Sequence, residues 1–272
     1  MPKFYYEAST IVLSLLLYFL SYHIIVLCSI VLGIYKHFCL MNGCAVLQSF
    51  YFYNTLKSEN CSNTQRITCE KYPPIVFKGR IQYVTEFVDC AFICNNLLEE
   101  INRSEKDIVP LGFDLEWPFS FQTGSGKTAL VQICLDVDVC YLLHIYTLKK
   151  LPAAFVELLC HPKVKLVGVN IKNDVRKLER DFKEFPGQKV VDNNCLDCGP
   201  FANERLMRSG RWSLERLTAL VLKKKIDKNP EVRRSKWHVQ PLNDAQKIYA
   251  ATDAYVSLLI YKELENHVCT TS

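Results

Sequence analysis

The chain carries no internal repeat and no low-complexity tract, which excludes a solenoid array and a compositionally biased tail. A secreted disulfide framework is missing too. The thirteen cysteines are odd in number and scattered. Cys90, Cys94, Cys134, Cys140 and Cys160 sit inside apolar runs, where cysteine behaves as a small buried hydrophobe. Cys195 and Cys198 form one CxxC pair, but no second ligand pair follows at a spacing that suits structural zinc. A complete phosphate loop is also absent. The run GSGKT at Gly124 to Thr128 has Phe121 where the first glycine belongs, and a ring-bearing residue lacks the backbone freedom that the loop's opening turn needs. The flanking stretches LGFDLEW and ALVQICLDV both read as strands, whereas a phosphate loop runs from a strand into a helix. Strand, glycine-rich polar run, strand predicts a hairpin with GSGKT as its turn, Lys127 as a turn residue, and no ATP site.

The chain has 272 residues, room for one or two domains, and a net charge of +5 that names no partner by itself. Basic residues gather late: Lys223, Lys224, Lys225, Lys228, Arg233, Arg234 and Lys236 stand against only Asp227 and Glu231. That cluster fits a phosphate-backbone footprint and, on charge alone, an ordinary solvated face equally well. At the other end, Ile11 to Tyr35 contains no Asp, Glu, Lys or Arg, and its length suffices for a membrane-spanning helix. Lys36 and His37 follow it, while Lys3 and Glu7 precede it, a slight bias toward a cytoplasmic C-terminal side. A signal peptide fits less well, because no small-residue cleavage site follows directly. A segment absent from the mature protein is a third reading. Residues 1–53 are therefore expected to form a hydrophobic N-terminal segment and 54–74, closed by Pro73 and Pro74, a linker.

From residue 75 the texture is globular. IVFKGRIQYV, LGFDLEW, ALVQICL, CYLLHIYTL, KLVGVNI and KVVD read as strands. EFVDCAFICNNLLEEI, LPAAFVELLCH, KNDVRKLERDF, CGPFANERLM, WSLERLTALVL and LNDAQKIYAATDAYVSLLIYKELE read as helices, the last with Asn243 or Asp244 as its cap. A meander of strands followed by alternating helices and strands predicts an α/β domain with a mixed sheet.

Three acidic stretches can carry chemistry. Asp114 and Glu116 are two apart on a predicted strand and so share a face, between Phe113, Leu115 and Trp117. Two anions side by side among apolar residues call for a cation such as Mg²⁺ or Mn²⁺; an exposed edge strand is the plainer alternative. Asp174 follows the apolar strand KLVGVN at a helix start, where α/β sheets place ligands and where an acid also simply favours the helix dipole. Tyr249 and Asp253 lie four apart on one helix face among Ala250, Ala251 and Ala254, as they would on any amphipathic helix with a partly buried tyrosine.

Taken in order, FDLEW, GVNIKND and YAATDAY resemble the three exonuclease motifs of the DEDD superfamily, and Tyr249-x-x-x-Asp253 matches its DEDDy branch. GFDLEWP, LVQIC, WSLERL, RRSKW and PLNDAQKIYAATDAY are similar to the exonuclease domain of Werner syndrome-type proteins in its stand-alone form, without a helicase. The resemblance covers residues 75–267, leaving 268–272 as a tail. It implies a ribonuclease H-like mixed sheet flanked by helices, with the N-terminal hydrophobic helix as an addition. It implies two-metal hydrolysis of DNA from the 3′ end, using Mg²⁺ or Mn²⁺ and releasing 5′-mononucleotides. Asp114 would bridge both ions, Glu116 and Asp253 bind the nucleophile-side ion, and Asp174 bind the other through water. Tyr249 would orient the attacking water. Leu115 and Trp117 are candidates for packing on the terminal base or sugar, with simple core packing as the equal alternative, and Arg233 and Lys236 are candidates for holding substrate phosphates, with a solvated loop as theirs. An RNA-trimming enzyme and a membrane-anchored nucleic-acid-binding module are the alternatives. A DNA substrate implies the nucleus; the segment 11–35 implies membrane anchoring with the exonuclease domain in the cytoplasm.

Overall fold

The computed structural model describes residues 71–267. The expected hydrophobic segment 1–53, most of the 54–74 stretch and the tail 268–272 lie outside the described residues. No helix among the described residues is long and apolar enough to cross a membrane.

Six strands form the central sheet in the order β2-β7-β6-β3-β8-β9. They are β2 (Arg80–Val84), β3 (Val109–Glu116), β6 (Leu130–Cys134), β7 (Val139–His144), β8 (Val164–Gly168) and β9 (Cys195–Asp197). The sheet is mixed. β3, a central strand, runs antiparallel to β6 and parallel to β8. Short strands β1 (Pro74–Ile75) and β10 (Lys225–Ile226) pair in parallel beside it.

The strict alternation of β3 divides the molecule in two. Val109, Leu111, Phe113 and Leu115 point into one core cluster. That cluster is completed by α1 (Phe87–Arg103), α2 (Ala153–Cys160), α3 (Ile171–Asp181) and α4 (Gly187–Asn193). In α1 the buried residues are Cys90, Ile93, Cys94, Leu97, Leu98 and Ile101, the i, i+3, i+4 stripe of a helix laid on a sheet. The even positions of β3 turn to the other face. There α5 (Cys198–Arg205), α6 (Leu214–Leu217, continued by a π-helical turn to Leu222), α7 (Pro230–Arg233) and α8 (Asp244–Asn266) lie. α8 starts with a reciprocal cap: the Asn243 side chain accepts from the Gln246 amide, and the Gln246 side chain accepts from the Asn243 amide.

Two local expectations differ from the structure. KVVD is not a strand but part of α4. Val190 and Val191 are buried there, so burial in a helix overrides the strand preference of two β-branched residues. GSGKT is not itself a turn. The turn is residues 121–123, between β4 (Phe119–Ser120) and β5 (Gly124–Ser125), and Gly124 enters the returning arm at φ 77°. Lys127 is likewise no free turn residue: its Nζ donates to the Leu148 carbonyl at 2.6 Å and lies 4.2 Å from the centre of the Phe182 ring. Strands flank the run on both sides, unlike a phosphate loop.

Candidate active site

The site forms where β3 ends against α8. Gly112 sets their separation. A Cβ added there would lie 2.1 Å from the carbonyl oxygen of Ala254, so only glycine lets the helix backbone come this close. Two residues on from Gly112 the same face carries Asp114, then Glu116, and α8 answers with Asp253. Carboxylate oxygens of these three all lie within 4.8 Å of one another. Gln132 of β6 stands in register opposite Asp114. It is fully buried, with neither amide atom bonded to protein, and adds a polar group to the same row.

Asp174 enters from the first turn of α3. Its carboxyl is pushed well up by burial and then by the charges of Asp114 and Asp197; it feels the Asp114 charge but stands outside the close trio. Burial pushes Asp114 up to about 7; the Asp253 charge adds to this, while Lys228 and Arg233 pull it back. Glu116 is raised well above the usual range by burial, then by Asp114 and Asp253. Asp253 is raised by burial against the opposing pull of Lys228 and Arg233. At this separation like charges repel by about 3–4 kcal/mol per pair at an effective dielectric near 20. Even with Lys228 and Arg233 opposing, all three carboxyls stay raised. Hard oxygen donors converging in such a cluster suit divalent cations of the Mg²⁺ or Mn²⁺ kind, and the residues present fit that demand.

Tyr249 lies one helical turn before Asp253, is 8 % exposed and hydrogen-bonds Asp253. Burial and the carboxylates Asp253, Glu116 and Asp114 push its hydroxyl far up, so it stands there as a neutral O–H. Its ring is bracketed by Lys228, 5.3 Å from the centroid, and by Trp237 at 6.1 Å.

Sequence reasoning passed over three residues that shape this site. Lys228 donates to both Asp253 oxygens, at 2.9 and 2.8 Å; in sequence it is one lysine among many. His144 is fully buried. Its Nε2 donates to the Trp237 carbonyl at 2.9 Å and its Nδ1 accepts from the Gln240 amide at 2.7 Å, tying the segment after α7 to the sheet. Gly112 is the third. Of the expected nucleic-acid contacts, Arg233 is exposed and its charge reaches Asp114, Glu116 and Asp253. Lys236 is exposed on the same segment. Trp117 is half-buried against the core, with Lys177 Nζ 5.4 Å from its ring centre. Leu115 is a correction: an odd position of β3, it is 3 % exposed inside the core and offers no face to a substrate. Cys195 and Cys198 are free thiols, and burial pushes Cys195 up to about 12, which agrees with a packing role.

Residues 86–269 match the 3'-5' exonuclease family DNA_pol_A_exo1. The chain belongs to that family. Among relatives, a 3'-5' exonuclease of Drosophila melanogaster is 51% identical over 196 residues, covering 72% of this chain and 55% of the relative. The chain thus spans about half the length of the curated relatives it matches. Among solved structures, the Nibbler EXO domain of Aedes aegypti aligns with TM-score 0.56 at 20% identity, covering 71% of this chain and 92% of that one. The catalytic core of RRP6 from Trypanosoma brucei (mutant C496S) aligns with TM-score 0.53 at 20% identity, covering 75% and 52%. At these identities the likeness is one of fold: a ribonuclease H-like mixed sheet flanked by helices. The exonuclease family is thus set by the match over residues 86–269, and the acidic cluster lies within them.

Proposed function

We propose that this protein is a divalent-metal-dependent 3′→5′ exonuclease of the Werner syndrome-type, DEDDy branch, hydrolysing DNA to 5′-mononucleotides. The observation that carries the reading is the meeting of Asp114, Glu116 and Asp253, with Tyr249 bonded to Asp253 and Asp174 feeling the Asp114 charge, from three motifs far apart in the chain. Asp114, Glu116, Asp174 and Asp253 would hold two cations, Mg²⁺ or Mn²⁺, which supply Lewis-acid charge stabilisation for phosphodiester hydrolysis. Tyr249, a neutral O–H anchored on Asp253, orients the attacking water by hydrogen bonding. Lys228 holds the Asp253 carboxylate in place. Arg233, whose charge reaches the cluster, and Lys236, exposed on the same segment, bind phosphates of the strand. With DNA as substrate, the protein would act in the nucleus, in repair, replication or genome maintenance.

The test is incubation of the purified protein with matched DNA and RNA strands, labelled at the 5′ or the 3′ end, with Mn²⁺ or with EDTA. Stepwise, cation-dependent shortening of 5′-labelled DNA is the expected result. Preference for the RNA strand would reassign the substrate, and binding without shortening would leave a nucleic-acid-binding module.

A further inference from the structure

The polypeptide that leaves β3 two residues after Glu116 forms a hairpin that the chemistry above does not use. Phe119 is 54% exposed and Phe121 90% exposed. Their rings meet edge to face with centroids 5.4 Å apart. Single exposed apolar residues are ordinary on protein surfaces; two contacting phenylalanines on one short hairpin are a preformed aromatic surface.

The base of the hairpin is held by hydrogen bonds from both sides. The Gly126 amide donates to the Pro118 carbonyl at 2.8 Å and closes its base. Lys177 Nζ donates to the Gly126 carbonyl at 2.7 Å and pairs with Asp181. Asp181 accepts from both the amide and the hydroxyl of Thr128, at 2.7 and 2.6 Å. Lys177 and Asp181 lie three and seven residues after Asp174 on α3. The same two elements that deliver Asp114, Glu116 and Asp174 therefore fix the hairpin.

We propose that Phe121 and Phe119 form a base-stacking platform for the single strand whose 3′ end lies at the carboxylates, a proposal that rests on the exonuclease reading. Phe121 lies five positions after Glu116, a reach of at most about 18 Å, roughly five stacked nucleotides at about 3.4 Å each. Every base has a π-face, so the platform grips any sequence. Such a grip suits an enzyme that steps along a strand, and it holds the strand by its bases while Arg233 and Lys236 hold it by its phosphates.

The test uses the full chain as wild type, Phe121→Ala, Phe121→Trp and the double variant Phe119→Ala/Phe121→Ala. A labelled single-stranded DNA is titrated without divalent cation to read binding by anisotropy, and with Mn²⁺ to read mononucleotide release. Phe121→Ala is expected to weaken binding and raise KM by about fivefold or more, the loss of one stacked base, with kcat little changed. Phe121→Trp keeps wild-type affinity. A strand abasic over the few nucleotides before its 3′ end should bind wild type as poorly as the intact strand binds Phe121→Ala, and the two losses should not add. Unchanged affinity in Phe121→Ala overturns the proposal, and so does an equal further loss on the abasic strand. Self-association that depends on Phe121 in sedimentation would assign the rings to a second copy instead. Binding without turnover in wild type would contradict the exonuclease reading alone; turnover indifferent to Phe121 would contradict the platform alone.

Discussion

At the scale of single residues, the site is a set of side chains whose charges oppose the fold, a conflict that a bound cation would relieve. Asp114 is pushed up to about 7, and Glu116, Asp174 and Asp253 are raised with it. A carboxyl whose folded pKa lies above its unfolded value contributes stability that is present at low pH and lost as pH rises through the folded pKa. The metal-free protein is therefore expected to melt at progressively lower temperature as pH rises from about 5 to about 8. Saturating Mg²⁺ should flatten that slope, because the bound ion favours the ionised form. Scanning fluorimetry at a series of pH values with EDTA or Mg²⁺ checks this; a melting temperature that climbs across the window in EDTA would contradict it. Tyr249→Phe keeps the buried ring beside Trp237 and removes only the hydroxyl proposed to orient water. Turnover should fall by about 10²-fold or more while KM stays near wild type, in single-turnover and steady-state assays. Spacing put Asp114 with Glu116 and Tyr249 with Asp253 on shared faces, but the five residues were legible as one set only through the ordered motifs FDLEW, GVNIKND and YAATDAY and the family they resemble. Lys228 was not, since nothing in the run Lys223 to Lys236 distinguishes the one ammonium that reaches Asp253.

At the scale of elements, the decisive contact is α8 on β3. Gly112 permits it, and its requirement is invisible in sequence because the clashing atom, the Ala254 carbonyl oxygen, lies more than a hundred residues away. Gly112→Ala is expected to cost about 1–3 kcal/mol or more through overpacking against backbone, a fall of several degrees in melting temperature for a domain of this size. Activity at permissive temperature should fall as well, because the added methyl pushes Asp253 away from Asp114 and Glu116. Wild-type melting and turnover in that variant would show that the close approach is dispensable. The strand and helix readings held where the apolar period was long, as in α1 and β3. They failed at KVVD, four residues too short for periodicity to outvote β-branching. β9 was missed for the same reason: its three residues are an edge added by pairing with β8.

At the scale of the whole molecule, the α/β class and the order of the motifs were legible because the sheet and its site lie within residues 71–267. The lower edge of that unit has a specific anchor. The Lys225 amide donates to the Pro73 carbonyl at 2.9 Å, and β1 pairs with β10, steadying the segment that leads to Lys228. Residues 72–267 expressed alone should thus be soluble and as active as the full chain. A version starting at residue 77 should lose much of that activity as the β1–β10 pair disappears. Side-by-side turnover of the two fragments checks this; equal activity would remove β1 from the working unit. The most direct measurement of all is release of 5′-mononucleotides from a 5′-labelled single strand by wild type and by Asp114→Asn, each with Mn²⁺ and with EDTA. Wild type with Mn²⁺ should shorten the strand stepwise from its 3′ end. EDTA, or the loss of one carboxylate from the cluster, should abolish shortening while the variant melts no lower than wild type. Near wild-type turnover by Asp114→Asn, or shortening that persists in EDTA, would contradict a metal-dependent exonuclease built on these residues.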